Sequence, residues 1–271
     1  MNKQMPSIDT LIKLLDDEDD IARAAMISLI ENYSCELVHI LPQLQECNNE
    51  RLRKRSHQLQ AFLHFKQRRA HLADVLHGRL NEFYISDCLI EMHLLWYKKD
   101  SFADIVDMYR DFVQQYPSEF LPDLNNIAAF FREKQIVHFK DDTSNSHFYI
   151  LGMVLDSHYG TNSLLCALAM ALHQDLNSPT QLQTIRFENK FYLYEPASNL
   201  ICDTKALWEV RPIDFSNYTV FTPAQLLKFI AAMTFTEAVQ DDDLRYVEVA
   251  GKILAPDGSI KNLPYPYSGT K

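Results

Sequence analysis

The sequence predicts an α+β fold: a helical N-terminal unit, then a buried central helix packed on a small antiparallel sheet. Three observations point there. Apolar residues recur every three or four positions from Ile8 to about residue 155. Residues 162–175 are then apolar almost all round, the pattern of a helix enclosed by other elements. Beyond Asn177-Ser178-Pro179 the apolar period drops to two, as strands require. A chain of 271 residues, 47% of them hydrophobic, has material for one large domain or two ordinary ones.

From the N-terminus, Ser7 is placed to cap a helix over Ile8, Leu11, Ile12, Leu14 and Leu15. Asp19 or Asp20 can start a second over Ile21, Ala24, Ala25, Ile27 and Leu29. Leu37, Val38, Ile40 and Leu41 follow, then a helix carrying Leu52, Leu59, Phe62 and Leu63. The stretch LLDDEDDIARAAMISLIE resembles the second-helix signature of HEAT repeats, and NNERLRKRSHQLQAFL renews it with Leu52 in the place of Ile21. Two such units cannot bury their faces alone, so residues 1–78 read as a small HEAT-like helical unit leaning on the rest, with Gly78 as its helix stop.

Further helices are expected over 85–97, 102–115 and 121–134, with Pro117 and Pro122 at the boundaries. After the polar loop KDDTSNS, a helix with Phe148, Ile150, Leu151, Val154 and Leu155 runs to His158-Tyr159-Gly160. The central helix follows. LQTIRF, KFYLYE and NLICDT then make three short strands joined as a meander, the first turn at Glu188-Asn189. Thr222 as cap and Pro223 as first helical residue open a last helix through Leu226, Leu227, Phe229, Ile230 and Met233. Residues 79–255 form the second domain and 256–271 a loose tail.

Composition removes several function classes. Six glycines and the lack of any G-x-G-x-x-G or Walker pattern leave a nucleotide site without support. A net charge of -10 opposes generic binding to nucleic acid or anionic membrane. One patch dissents: Arg51, Arg53, Lys54, Arg55, Lys66, Arg68 and Arg69 gather positive charge, with the acidic run Asp16 to Asp20 upstream to complement it. An adaptor for an anionic partner through that patch stays open. The N-terminus MNKQMPSIDTL lacks the apolar stretch of a signal peptide, and no window approaches a membrane span, so a cytoplasmic protein is expected. Cys35, Cys47, Cys88, Cys166 and Cys202 are scattered and lack C-x-x-C spacing, which argues against disulfides and structural zinc. The ten histidines include no H-E-x-x-H pair, and neither His57 with His64 nor His71 with His77 has ligand spacing. No metal or cofactor is expected.

A glycine leading into a buried helix, followed by antiparallel strands, resembles the layout of the papain and transglutaminase superfamily. More narrowly, residues 83–240 look like the SirB-type branch of bacterial transglutaminase-like proteins. That branch has V-L-x-x-x-x-G-x-P-x-S-L, then a strand with P-G-H-F, then a strand with D-P; this chain offers VLDSHYGTNSLL, FENKFYLY and LICDT. The resemblance implies a thiol-enzyme fold with its triad lost. Its nucleophile position falls on Asn162, whose amide cannot form a thiolate, and its base position on Lys190, an amine protonated at neutral pH. Only Asp203, in the carboxylate position, keeps the chemistry.

Cys166 is the alternative nucleophile, with His158 as base and Asp203 behind it. It lies one turn past Asn162 among Leu164, Leu165, Ala167 and Leu168, a setting that raises a thiol pKa and favours a core role. Phe187, Phe191, Tyr192, Tyr194 and Trp208 can be read as an aromatic groove or as sheet packing. The leading expectation is a non-catalytic transglutaminase-like protein that binds a protein or peptide partner. A cysteine-dependent amide hydrolase or acyl transferase is the alternative.

Overall fold

The helix that starts at Asn162 is the centre about which the fold is organised. A computed structural model describes residues 37, 39–139, 146–258 and 263 of the chain. The first two expected helices, the first HEAT-like stretch, the acidic run, Cys35 and most of the expected tail lie outside the described residues. By internal contacts the chain divides into two compact units, residues 1–68 and 69–271, with the division inside α1 (Glu50–Leu76).

In the first unit, Leu52, Ser56, Leu59 and Leu63 form the buried stripe of α1, and Leu37, Leu41 and Leu44 are buried as well. The spacing of three and four keeps one face dry while Arg53 and Lys54 stay in water. Asn49 opens the helix by accepting from the Leu52 amide at 3.2 Å.

In the second unit, α1 ends at Leu76 as expected from Gly78. That glycine takes a φ of +67°, and the next amide, of Arg79, bonds back to the Asp74 carbonyl at 2.8 Å. Four helices follow: α2 (Ile85–Trp96), α3 (Phe102–Gln114), α4 (Leu124–Glu133) and α5 (Leu151–Ser157). The expected start of α4 at Leu121 is corrected to Leu124: Pro122 precedes the turn, and the Asp123 carboxylate caps it by accepting from the Asn126 amide at 2.8 Å. Residues 146–149 form a 3-10 turn before α5.

A short parallel pair was not visible in the sequence: β1 (Val137–His138) lies beside β2 (Tyr159–Gly160). Directly after β2, Thr161 caps α6 (Asn162–Asp175) with its hydroxyl toward the Leu164 amide. Leu164, Leu165, Cys166, Ala167, Leu168, Ala169, Ala171 and Leu172 are all fully buried, so α6 is the enclosed helix its composition predicts.

The sheet is antiparallel, five strands in the order β6-β5-β4-β3-β7. The three expected strands are β3 (Gln183–Phe187), β4 (Lys190–Glu195) and β5 (Leu200–Asp203), paired as a meander. Two further strands, β6 (Glu209–Pro212) and β7 (Thr219–Phe221), sit at opposite edges. The connection between them crosses one sheet face, where Phe215 and Tyr218 cover Ile185, Tyr192 and Ile201. The other face, with Phe191, Leu193 and Cys202, meets α6. Beyond the sheet come α7 (Pro223–Gln240) and α8 (Leu244–Leu254). Thr222 and Gln225 close a capping box on α7, with Pro223 at the first helical position. The architecture is α+β.

Candidate functional site

The junction of α6 with β4 and β5 is held by one side chain. Asn162, the first residue of α6, is buried, and both ends of its amide are engaged. Its Nδ2 donates to the Phe191 carbonyl at 2.9 Å and to Thr204 Oγ1 at 2.8 Å, while its Oδ1 accepts from the Phe191 amide at 2.7 Å. An amide carries a donor and an acceptor side by side, so it can pair with both groups of one backbone residue.

Those bonds bring the three expected triad positions into one neighbourhood, since Phe191 follows Lys190 and Thr204 follows Asp203. The functional groups themselves do not converge. Strand alternation puts Lys190 on the face of Tyr192, opposite Phe191, and it is exposed. The Asp203 carboxylate is buried and turned inward on its own chain, accepting from the amides of Lys205 at 2.9 Å and Ala206 at 3.3 Å. It caps the 3-10 turn at 204–206. Leu207 and Trp208 then both take positive φ, +54° and +59°, and Trp208 turns fully inward. Its indole N–H donates to the Ile136 carbonyl at 2.6 Å and its ring stacks on Phe131.

Cys166 is fully enclosed, and burial pushes its thiol pKa well up, with the nearby Cys202 and the Asp203 charge acting the same way. Cys202 is shifted up for the same first reason, burial. His158 is elsewhere: it ends α5 in a left-handed conformation, φ +66°, and is exposed. Among the described residues no hydrogen bond joins His158 to Cys166. His173, the other nearby histidine, bonds Thr180 Oγ1 at 3.1 Å, and burial lowers its pKa.

The five aromatics do not form one groove. Phe191 lies on the α6 side of the sheet against Phe221 and Phe229, Tyr192 and Tyr194 lie on the other, and Trp208 is sealed in the core. Alternation along β4 separates them, so the groove alternative is replaced by sheet packing.

A second buried polar constellation escaped the sequence. His93 in α2 is almost completely buried, with Nε2 facing the Asp100 carboxylate at 2.9 Å and Nδ1 accepting from the Gly152 amide at 3.2 Å. That pattern places the ring proton on Nε2. Gly152 is needed there, because a Cβ would lie 2.4 Å from the imidazole Cε1. Beside it Tyr97 bonds His147, and burial pushes the Tyr97 hydroxyl up to about 12. A lone histidine within an apolar helix was the only signal available.

Among the described residues no helix is long and apolar enough to cross a membrane. Compared with protein-family models, with curated proteins and with solved structures, the chain finds no match.

Proposed function

We propose that this protein is a catalytically degenerate member of the transglutaminase-like superfamily, of the SirB type, that works by binding a protein or peptide partner. The observation that carries the reading is the Asn162 clasp. At the helix start, where amide dipoles would ionise a thiol, there stands a side chain spent entirely on joining α6 to β4 and to Thr204. Cys166, one turn further in, is sealed, and among the described residues no base is bonded to it.

Around the sealed junction, chemistry suited to recognition remains in water: the Lys190 ammonium, the Tyr159 ring and the Leu207 side chain are exposed. Exposed apolar side chains and a cation suit an extended segment that carries an acid and hydrophobic residues. The unpaired thiols of Cys88, Cys166 and Cys202 fit a reducing, cytoplasmic setting, which belongs to the same proposal.

The test is selection from a displayed random peptide library on the full chain. Selected peptides should share a sequence pattern, and Lys190→Glu and Leu207→Asp should each weaken binding by roughly tenfold, about 1.4 kcal/mol. Selection without enrichment, or binding indifferent to both substitutions, contradicts a partner site at this junction.

A further inference from the structure

Three helices of the second unit end around one cleft of about 220 Å³. Gln115, Lys134 and His158 are the C-terminal cap residues of α3, α4 and α5, and all three line it. Asp111 stands one turn before Gln115 on the same face of α3. Beneath these polar groups, Phe112 and Ile136 are buried and form an apolar floor with Leu155.

The polar groups are unspent. Among the described residues no ion pair joins Asp111 to Lys134, although both line the cleft, and no hydrogen bond engages the His158 ring or the Gln115 side-chain amide. Among the described residues the Lys134 ammonium meets the Phe130 ring, 5.6 Å from its centroid. The frame is held, however. Val137 donates to the His158 carbonyl at 2.9 Å, and two non-glycine residues at the rim, Gln135 and His158, keep left-handed backbones with φ of +56° and +66°. Such conformations persist where the surroundings enforce them.

We propose that this cleft binds a small zwitterion, an α-amino acid with an apolar side chain. Each part of that ligand has a counterpart. An ammonium suits Asp111 together with the partial negative charge at the end of α3. A carboxylate suits the Lys134 ammonium, with His158 as a second donor, and an apolar side chain suits the Phe112 floor. A molecule that carries both signs would bridge opposite charges that line one cleft without pairing. Size agrees: 220 Å³ lies below the roughly 300–1,000 Å³ of drug-sized sites, as a ligand of amino-acid size requires. The site is remote in kind from the Asn162 junction, and no triad position lines it.

The test is nuclear magnetic resonance titration of the ¹⁵N-labelled full chain with L-leucine, L-methionine and L-phenylalanine in turn. At least one should give saturable shifts centred on Asp111, Gln115, Lys134 and His158, with a Kd on the order of 1 mM. For the acid that binds, the matching amide, which lacks the carboxylate, and the deaminated acid, which lacks the ammonium, should each bind about tenfold more weakly. The dipeptide Leu-Leu, whose carboxylate is one residue further from its ammonium, should also bind more weakly. Asp111→Asn and Lys134→Met should reduce binding to a similar degree while keeping the parent's melting temperature, since neither residue is buried. No saturable shift with any of the three, equal binding of the one-charge analogues, or binding untouched by both substitutions would overturn the proposal.

Discussion

Replacing Asn162 with alanine removes three buried hydrogen bonds at once, and the size of the loss tests whether this side chain is a structural clasp. The substitution leaves the amide and carbonyl of Phe191 and the hydroxyl of Thr204 without the partners they have at 2.7, 2.9 and 2.8 Å. A buried hydrogen bond nets about 1 kcal/mol, and a partner left unpaired raises the cost to ~1–3 kcal/mol. Alanine returns roughly 0.5 kcal/mol as the better helix former. With Thr204 fully buried and Phe191 almost so, water has poor access to repair the gap. The expected destabilisation is about 3–5 kcal/mol, a large part of the ~5–15 kcal/mol that holds most domains together. Equilibrium unfolding in urea measures it, and an unchanged denaturant slope licenses the comparison. Asn162→Asp should fall between the two. It keeps the acceptor for the Phe191 amide and gains up to ~1 kcal/mol from the helix end, but sets oxygen against the Phe191 carbonyl. A loss below about 1 kcal/mol for Asn162→Ala would refute the clasp, for three satisfied buried groups cannot be given up so cheaply.

Two further outcomes follow from the His93 constellation. Burial lowers the His93 pKa below its ordinary value, more than the Asp100 hydrogen bond and charge raise it, so the unfolded chain binds the proton first. Stability is therefore full above roughly pH 6.5 and declines as the pH falls from there toward the folded-state pKa. Urea midpoints at about pH 7.5 and about pH 5 should show the drop, and His93→Gln should reduce it without abolishing it, because burial also lowers His64 and His173. An unaltered pH slope in His93→Gln would contradict this assignment. Gly152→Ala sets a methyl group 2.4 Å from His93 Cε1 and 2.7 Å from Nδ1. It should lower stability by about 1–3 kcal/mol, and a neutral or raised melting temperature would show that α2 and α5 are looser than described.

How far the sequence foretold these features depends on how local each one is. The α6 helix was legible because nine consecutive apolar residues, Leu164 to Leu172, point to an enclosed helix, and Thr161 caps it. The strands β3, β4 and β5 were legible from alternation and from turn residues between them. The Thr222 cap with Pro223 behind it is likewise written in adjacent residues, and the structure adds Gln225 to close the box. The remainder depends on distant partners. β7 is three residues long and β6 ends in Pro212, so neither carries a period, and the edges they occupy become visible only once the chain has crossed the sheet face. β1 and β2 have two residues each and pair across an intervening helix. That Asn162 stands at the helix start could be read directly; that its amide reaches Phe191 and Thr204, 29 and 42 positions on, could not. The same holds for the cleft: Asp111 and Gln115 share a helix face in the sequence, but Lys134 and His158 arrive from two other helix ends.

The central claim is that the start of α6 holds an amide, while the nearby sulfur is sealed. Its most direct measurement is alkylation of the folded chain with iodoacetamide at about pH 6.5, roughly two units below the ordinary thiol pKa, read by peptide mass spectrometry. The expected result is no modification of Cys166 until urea unfolds the chain, with Cys47, the most accessible of the described thiols, reacting slowly throughout. Rapid, selective modification of Cys166 in the native protein would contradict it, and would return thiol chemistry to this fold.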